Sequence, residues 1–104
     1  MVLQVVKYDV HPDKAEAYLA WAKTAIPRLL NVPGLVEFRG YRSVSGASQI
    51  VTTYEFADIN AWSDWFYNEE IQKLTSERRT FTLNEISEIW GPSPMVPLPI
   101  RPGE

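Results

Sequence analysis

Residues 35–56, LVEFRGYRSVSGASQIVTTYEF, read as two strands joined by a short loop. Segments 35–44 and 49–56 are rich in β-branched and aromatic residues, and Gly46 in Ser45-Gly46-Ala47-Ser48 permits the positive φ of a hairpin. Just upstream, Asn31-Val32-Pro33-Gly34 is a stop-and-turn signal. Just downstream, Asp58 is placed to cap a helix. A hairpin with a helix on either side is therefore the centre of the fold.

Toward the N-terminus, residues 2–10 (VLQVVKYDV) form a further strand, ended by His11-Pro12-Asp13. Pro12 suits a loop or an early helix position, and Asp13 can accept a bond from the first helical turn. From Lys14 the period changes: Ala15, Tyr18, Leu19, Ala22, Ala25, Ile26, Leu29 and Leu30 make one apolar helical stripe. Pro27 removes one intrahelical bond and predicts a kink or an end to the regular helix nearby. Toward the C-terminus, Ile59, Trp62 and Phe66 share one helix face, whereas Tyr67, Ile71 and Leu74 point elsewhere. The helix is either kinked near Asn68-Glu69-Glu70 or replaced there by two short ones. Residues 81–90 (FTLNEISEIW) form the last strand, with Leu83 and Ile86 out of phase, which implies a bulge or a late start.

The order βαββαβ gives an α+β, ferredoxin-like fold: a four-stranded antiparallel sheet with two helices on one face. It occupies residues 1–90 as one domain, in keeping with the length of 104 residues. Residues 91–104, GPSPMVPLPIRPGE, hold five of the eight prolines and read as an extended arm.

Alternation splits the strands into two faces. Gln4, Val6, Tyr8, Val36, Phe38, Ile50, Thr52, Tyr54, Phe56, Ile86 and Trp90 are expected beneath the helices. Leu3, Val5, Lys7, Leu35, Glu37, Arg39, Tyr41, Val51, Thr53, Glu55, Ser87 and Ile89 are expected on the open face. That second set is too aliphatic to face water comfortably, which predicts a homodimer through the open sheets. The arm, bearing Met95, Val96, Leu98 and Ile100, would wrap over the partner.

Composition removes several classes of function. A net charge of −3 argues against a nucleic-acid groove. No apolar run approaches the 18 or so residues that cross a bilayer, and MVLQVV has no signal-peptide character. Without cysteine there is no disulfide, iron–sulfur cluster, thiolate zinc site or cysteine nucleophile, and a cytoplasmic location is expected. The single histidine, His11, makes a multi-histidine metal site or a Ser–His–Asp triad unexpected. It is either a general base at a pocket mouth or a loop residue. Arg42 is a weak candidate for an anion clamp, and Glu77-Arg78-Arg79 read as a solvated helix end.

Four tryptophans are many for this length, and Trp62 and Trp65 share a short helix with Phe66 and Tyr67. Over Tyr8, Phe38, Tyr54, Phe56 and Trp90 they would border a pocket for a flat apolar or aromatic ligand. The same rings could also simply fill the core.

The first strand with its Pro-containing loop, the long helix, the N-x-P-G-L turn, the hairpin and the Tyr54-Glu55-Phe56 strand end before Asp58 together resemble the antibiotic-biosynthesis-monooxygenase-like group. That resemblance, over roughly residues 2 to 90, implies a dimeric α/β barrel. It also implies a cofactor-independent monooxygenase acting on a small aromatic or polycyclic substrate. Oxygenases of that group pair an asparagine with a tryptophan on the second helix; Asn60 and Trp65, five positions apart, are the matching types here and the implied catalytic residues. The haem-degrading branch uses a histidine after that tryptophan; Thr75 stands there instead, so no cofactor is expected. A non-catalytic binding or assembly module, or an isomerase or lyase, are the alternatives on the same fold.

Overall fold

The computed structural model describes residues 1–103. Four strands, β1 (Val2–Val10), β2 (Leu35–Arg42), β3 (Ile50–Phe56) and β4 (Thr82–Trp90), form one antiparallel sheet in the order β2-β3-β1-β4. Three helices, α1 (Ala15–Leu30), α2 (Ile59–Phe66) and α3 (Glu69–Arg79), contribute to a core with one side of that sheet. The α+β, ferredoxin-like architecture is thus as expected, with the second helix divided in two.

Local chemistry explains the breaks. Asp58 caps α2 by accepting from the Ala61 N–H at 2.8 Å, and Asn68 caps α3 by accepting from Glu70 at 2.8 Å. A second cap so soon after the first restarts the helix in a new direction, which carries Ile71, Leu74, Thr75 and Arg78 inward. Asp13 does not cap α1. Its own N–H instead donates to Nδ1 of His11 at 3.3 Å, in a 3-10 turn over Pro12–Lys14. Pro27 lies in the last turn of α1, so its missing bond falls near the helix end rather than bending its middle. Gly34 then turns the chain at φ +112°, close against Ala61 and Trp65. The hairpin strands are shorter than expected: β2 ends at Arg42, and Val44 is fully exposed in the loop.

Two bulges correct the assignment of faces. Between Leu35 and Glu37 the register against β3 shifts, so Leu35 pairs with Phe56 and packs on the core while Val36 is exposed. On β4 the register shifts opposite Tyr8, where Asn84 adopts φ +58°. This is the bulge implied by the out-of-phase Leu83 and Ile86, and it inverts the rest of the strand. Ser87 and Ile89 pair with Val6 and Gln4 on the helix side; Ile86, Glu88 and Trp90 pair with Lys7, Val5 and Leu3 on the open side.

The open side consequently carries three cross-strand rows. They are Tyr41-Val51-Lys7-Ile86, Arg39-Thr53-Val5-Glu88 and Glu37-Glu55-Leu3-Trp90. Lys7 pairs with Glu88 at 3.2 Å and lies 5.6 Å from the Trp90 ring centroid, and Val5 between these strands is 1% exposed. Residues 91–103 form no helix or strand, and Met95, Leu98 and Ile100 are exposed. Among the described residues no helix is long and apolar enough to cross a membrane.

Candidate functional site

A cavity of about 200 Å³ lies between the sheet and the helices. Its floor is Gln4, Val6 and Tyr8 of β1, Thr52 and Tyr54 of β3, and Phe38 of β2. Its roof is Tyr18, Trp21, Ala25 and Leu29 of α1, Trp65 and Phe66 of α2, and Ile71, Leu74, Thr75 and Arg78 of α3. Apolar cavities of about 150 Å³ take up benzene, so a substituted aromatic ring fits here. The exposed lining residues Ile26, Arg79 and Ser87 mark its edges.

The two indoles of α2 differ sharply. Trp62 donates its Nε1–H to Oε1 of Gln4 at 3.1 Å and stacks on Phe66. Trp65, 3% exposed, packs against Tyr54 and Phe56 with ring centroids 5.4 and 5.2 Å away. Its Nε1 is buried without a hydrogen-bond partner among the described residues. A buried donor left unmet costs free energy, of the order of 1–3 kcal/mol.

Burial keeps two of the phenols, Tyr8 and Tyr54, protonated. Tyr8 and Tyr18 share a hydrogen bond of 2.6 Å, and burial, then that bond, holds the Tyr8 hydroxyl far above the usual tyrosine range. Burial likewise pushes Tyr54 up, and its hydroxyl lies 3.4 Å from Thr52 Oγ1. Arg78, read from the sequence as solvated, is only 9% exposed. Its guanidinium carbon stands 5.6 Å from the Tyr8 ring centroid, and Nη2 bonds Glu85 Oε1 at 2.5 Å. Glu85 reaches this position because the bulge at Asn84 turns it inward.

Of the expected site residues, Trp65, Tyr8, Phe38, Tyr54 and Phe66 line the cavity. Asn60 does not; it is exposed in the first turn of α2, on the far side of that helix from Trp65. Five positions at about 100° each separate the two by more than a quarter turn, so the implied Asn–Trp pair is not assembled. Phe56 is 0% exposed and fills core beneath Trp65, Trp62 approaches the cavity through its contacts with Gln4 and Phe66, and Trp90 is on the opposite face of the sheet. His11 and Arg42 do not line this cavity either. The missed residues include Gln4, Tyr18, Trp21, Thr75, Arg78, Arg79, Glu85 and Ser87. For Arg78 a signal existed: it lies four residues after Leu74 and seven after Ile71, on the same helical stripe.

The family model described as antibiotic biosynthesis monooxygenase matches residues 1–75. The chain belongs to this family. Solved structures of the same fold include an antibiotic biosynthesis monooxygenase at 12% identity and TM-score 0.74, covering 90% of this chain and 100% of the other. SnoaB, a cofactor-independent oxygenase from Streptomyces nogalater, is 15% identical with TM-score 0.72, covering 93% and 97%. A dabb family protein with a ferredoxin-like fold from Mesorhizobium loti is 16% identical with TM-score 0.78, covering 88% and 96%. No curated protein matches in sequence. Trp65 lies within the part matched by the family model, whereas Arg78 and Glu85 lie beyond it.

Proposed function

We propose that this protein is a cofactor-independent monooxygenase that oxidises a small aromatic or polycyclic phenol with O₂ in the cavity beneath Trp65. The observation that carries the reading is an aromatic-walled cavity lined by Trp65, whose buried indole N–H has no partner among the described residues. Family membership and the fold shared with SnoaB support it.

The chemistry balances without a cofactor. The ionised substrate gives one electron to O₂, and the resulting radical pair combines to form a C–O bond. The peroxide takes up a proton and expels water, leaving a carbonyl where a ring methylene stood. One oxygen atom enters the product, the other leaves as water, and the substrate supplies all four electrons. In this scheme the Trp65 N–H is the donor to the developing oxyanion. Asn60 takes no part in this scheme.

Oxygen uptake with a polycyclic phenol tests it. Substrate loss should require air and match O₂ consumed mole for mole. Equal turnover under argon would make the protein an isomerase or lyase, and no turnover with retained binding would make it a binding module.

We also propose that two copies associate through their open sheet faces, where Leu3, Val51, Ile86 and Trp90 lie among charges of both signs. The 91–104 arm, with its apolar side chains, would cover part of the partner.

A further inference from the structure

Among the described residues, the side chains lining the cavity that carry charge at neutral pH are Arg78, Arg79 and Glu85. They form one cluster at the β4 edge. Glu85 Oε1 accepts from Nε and Nη2 of Arg78 at 3.2 and 2.5 Å, and Oε2 accepts from Nε and Nη2 of Arg79 at 3.3 and 3.2 Å. Two guanidiniums thus share one carboxylate, and one positive charge is left over. Solvent screens part of it at Arg79, whose side chain is 60% exposed, but little at Arg78, whose side chain is 11% exposed. The hydroxyls of Tyr8 and Tyr54, kept protonated chiefly by burial, do not supply the missing negative charge. Arg78 is also fixed in place, between the Tyr8 ring and Glu85.

We propose that the cavity selects aromatic anions over their neutral counterparts, with the guanidinium of Arg78 receiving the charged end and the aromatic walls taking the ring. Glu85 is a positioning residue: it aims Arg78 and moderates its charge. The inference rests on the reading of this cavity as a ligand site and names the substrate class that the site takes. Carboxylates and phenolates present the same chemistry to a guanidinium. A purely structural Arg78–Glu85 pair, pinning α3 to β4, gives no such selectivity.

Calorimetric titration at neutral pH with 2-naphthoate and 2-naphthamide separates the two, and does so without turnover. The acid should bind about tenfold or more tightly than the amide, the scale of a charge-assisted hydrogen bond. Arg78→Gln should abolish the difference, Arg78→Lys should restore part of it, and Glu85→Gln should widen it by freeing the positive charge. Because Arg78→Gln could weaken folding, the double variant Arg78→Gln/Glu85→Gln, which removes both charges together, is measured beside it and should show no preference. A second probe, 4-nitrophenol, reports the phenolate source: bound, its ionisation should move to lower pH, and preference for either anion supports the inference. Equal affinity for charged and neutral forms with both probes, or no binding of any probe, overturns it. Selective binding without O₂ consumption would leave the anion site standing and remove the oxygenase.

Discussion

Trp62 and Trp65 stand three residues apart on α2, yet among the described residues only Trp62 has a partner for its indole N–H, Oε1 of Gln4 at 3.1 Å. One ring ties the helix to the sheet, and the other lines the cavity. Substitution should separate the two roles.

Trp65→Phe keeps an aromatic ring and deletes an unmet donor. Turnover should fall by about 10²–10³, the usual loss when one oxyanion donor is removed. Stability should fall only through the packing lost against Tyr54 and Phe56, because no hydrogen bond is lost. Oxygen uptake and urea unfolding on the same preparation check both halves.

Trp62→Phe should show the reverse pattern. Gln4 is 5% exposed, so its Oε1 would be left unsatisfied at a cost of about 1–3 kcal/mol in unfolding free energy. A double-mutant cycle with Gln4→Leu should recover a coupling of about 1 kcal/mol.

Acid should weaken the fold partly through Glu85. Burial opposes its ionisation, but the hydrogen bonds and charge of Arg78, and then of Arg79, win and hold the carboxyl below the usual glutamate range. A depressed folded-state pKa gives stability that is fully present above the unfolded value of about 4.3 and is lost as pH falls through the folded one. Glu77, lowered by Arg28 and Trp21, acts with the same sign. Urea midpoints should therefore fall between about pH 6 and about pH 3, and Glu85→Gln should make that decline shallower.

Asn84 sits at φ +58° and donates Nδ2–H to Oδ2 of Asp9 at 3.0 Å. Asn84→Gly should preserve the bulge at the loss of that bond. Asn84→Val should cost about 1–2 kcal/mol more, since a β-branched residue resists the left-handed region. Thermal unfolding of the pair against wild type gives the comparison.

Val51, Lys7 and Ile86 form one row on the open face. Val51→Lys/Ile86→Lys would place three like charges side by side there. Sedimentation velocity should show a dimer for the wild type and a monomer for the variant; a wild-type monomer at micromolar concentration would remove the dimer proposal.

The element order was legible because it rests on local signals: the period change at Lys14, the stop at Pro33-Gly34 and the cap at Asp58. The face assignment was legible only where alternation ran unbroken, as on β3. A bulge reverses parity for every later residue, and hydrophobicity then misleads, because Ile86 and Trp90 look like core yet point outward. Trp65 could be placed near a pocket from its helix, but whether its N–H met a partner depends on Gln4 choosing Trp62, 58 residues away. Arg78 was hidden by its neighbours: within Glu77-Arg78-Arg79 charge alone suggests solvent, whereas the helical stripe from Ile71 points inward.

The irregularity at Asn84 has a reach beyond its own strand. One surplus residue decides together which side chains of β4 face the helices and which face the open side of the sheet. The two faces are consequently coupled during divergence: a one-residue deletion there would exchange Ser87 and Ile89 for Ile86 and Trp90 on both surfaces at once. Relatives lacking the surplus residue should differ in ligand and in self-assembly together, rather than in either alone.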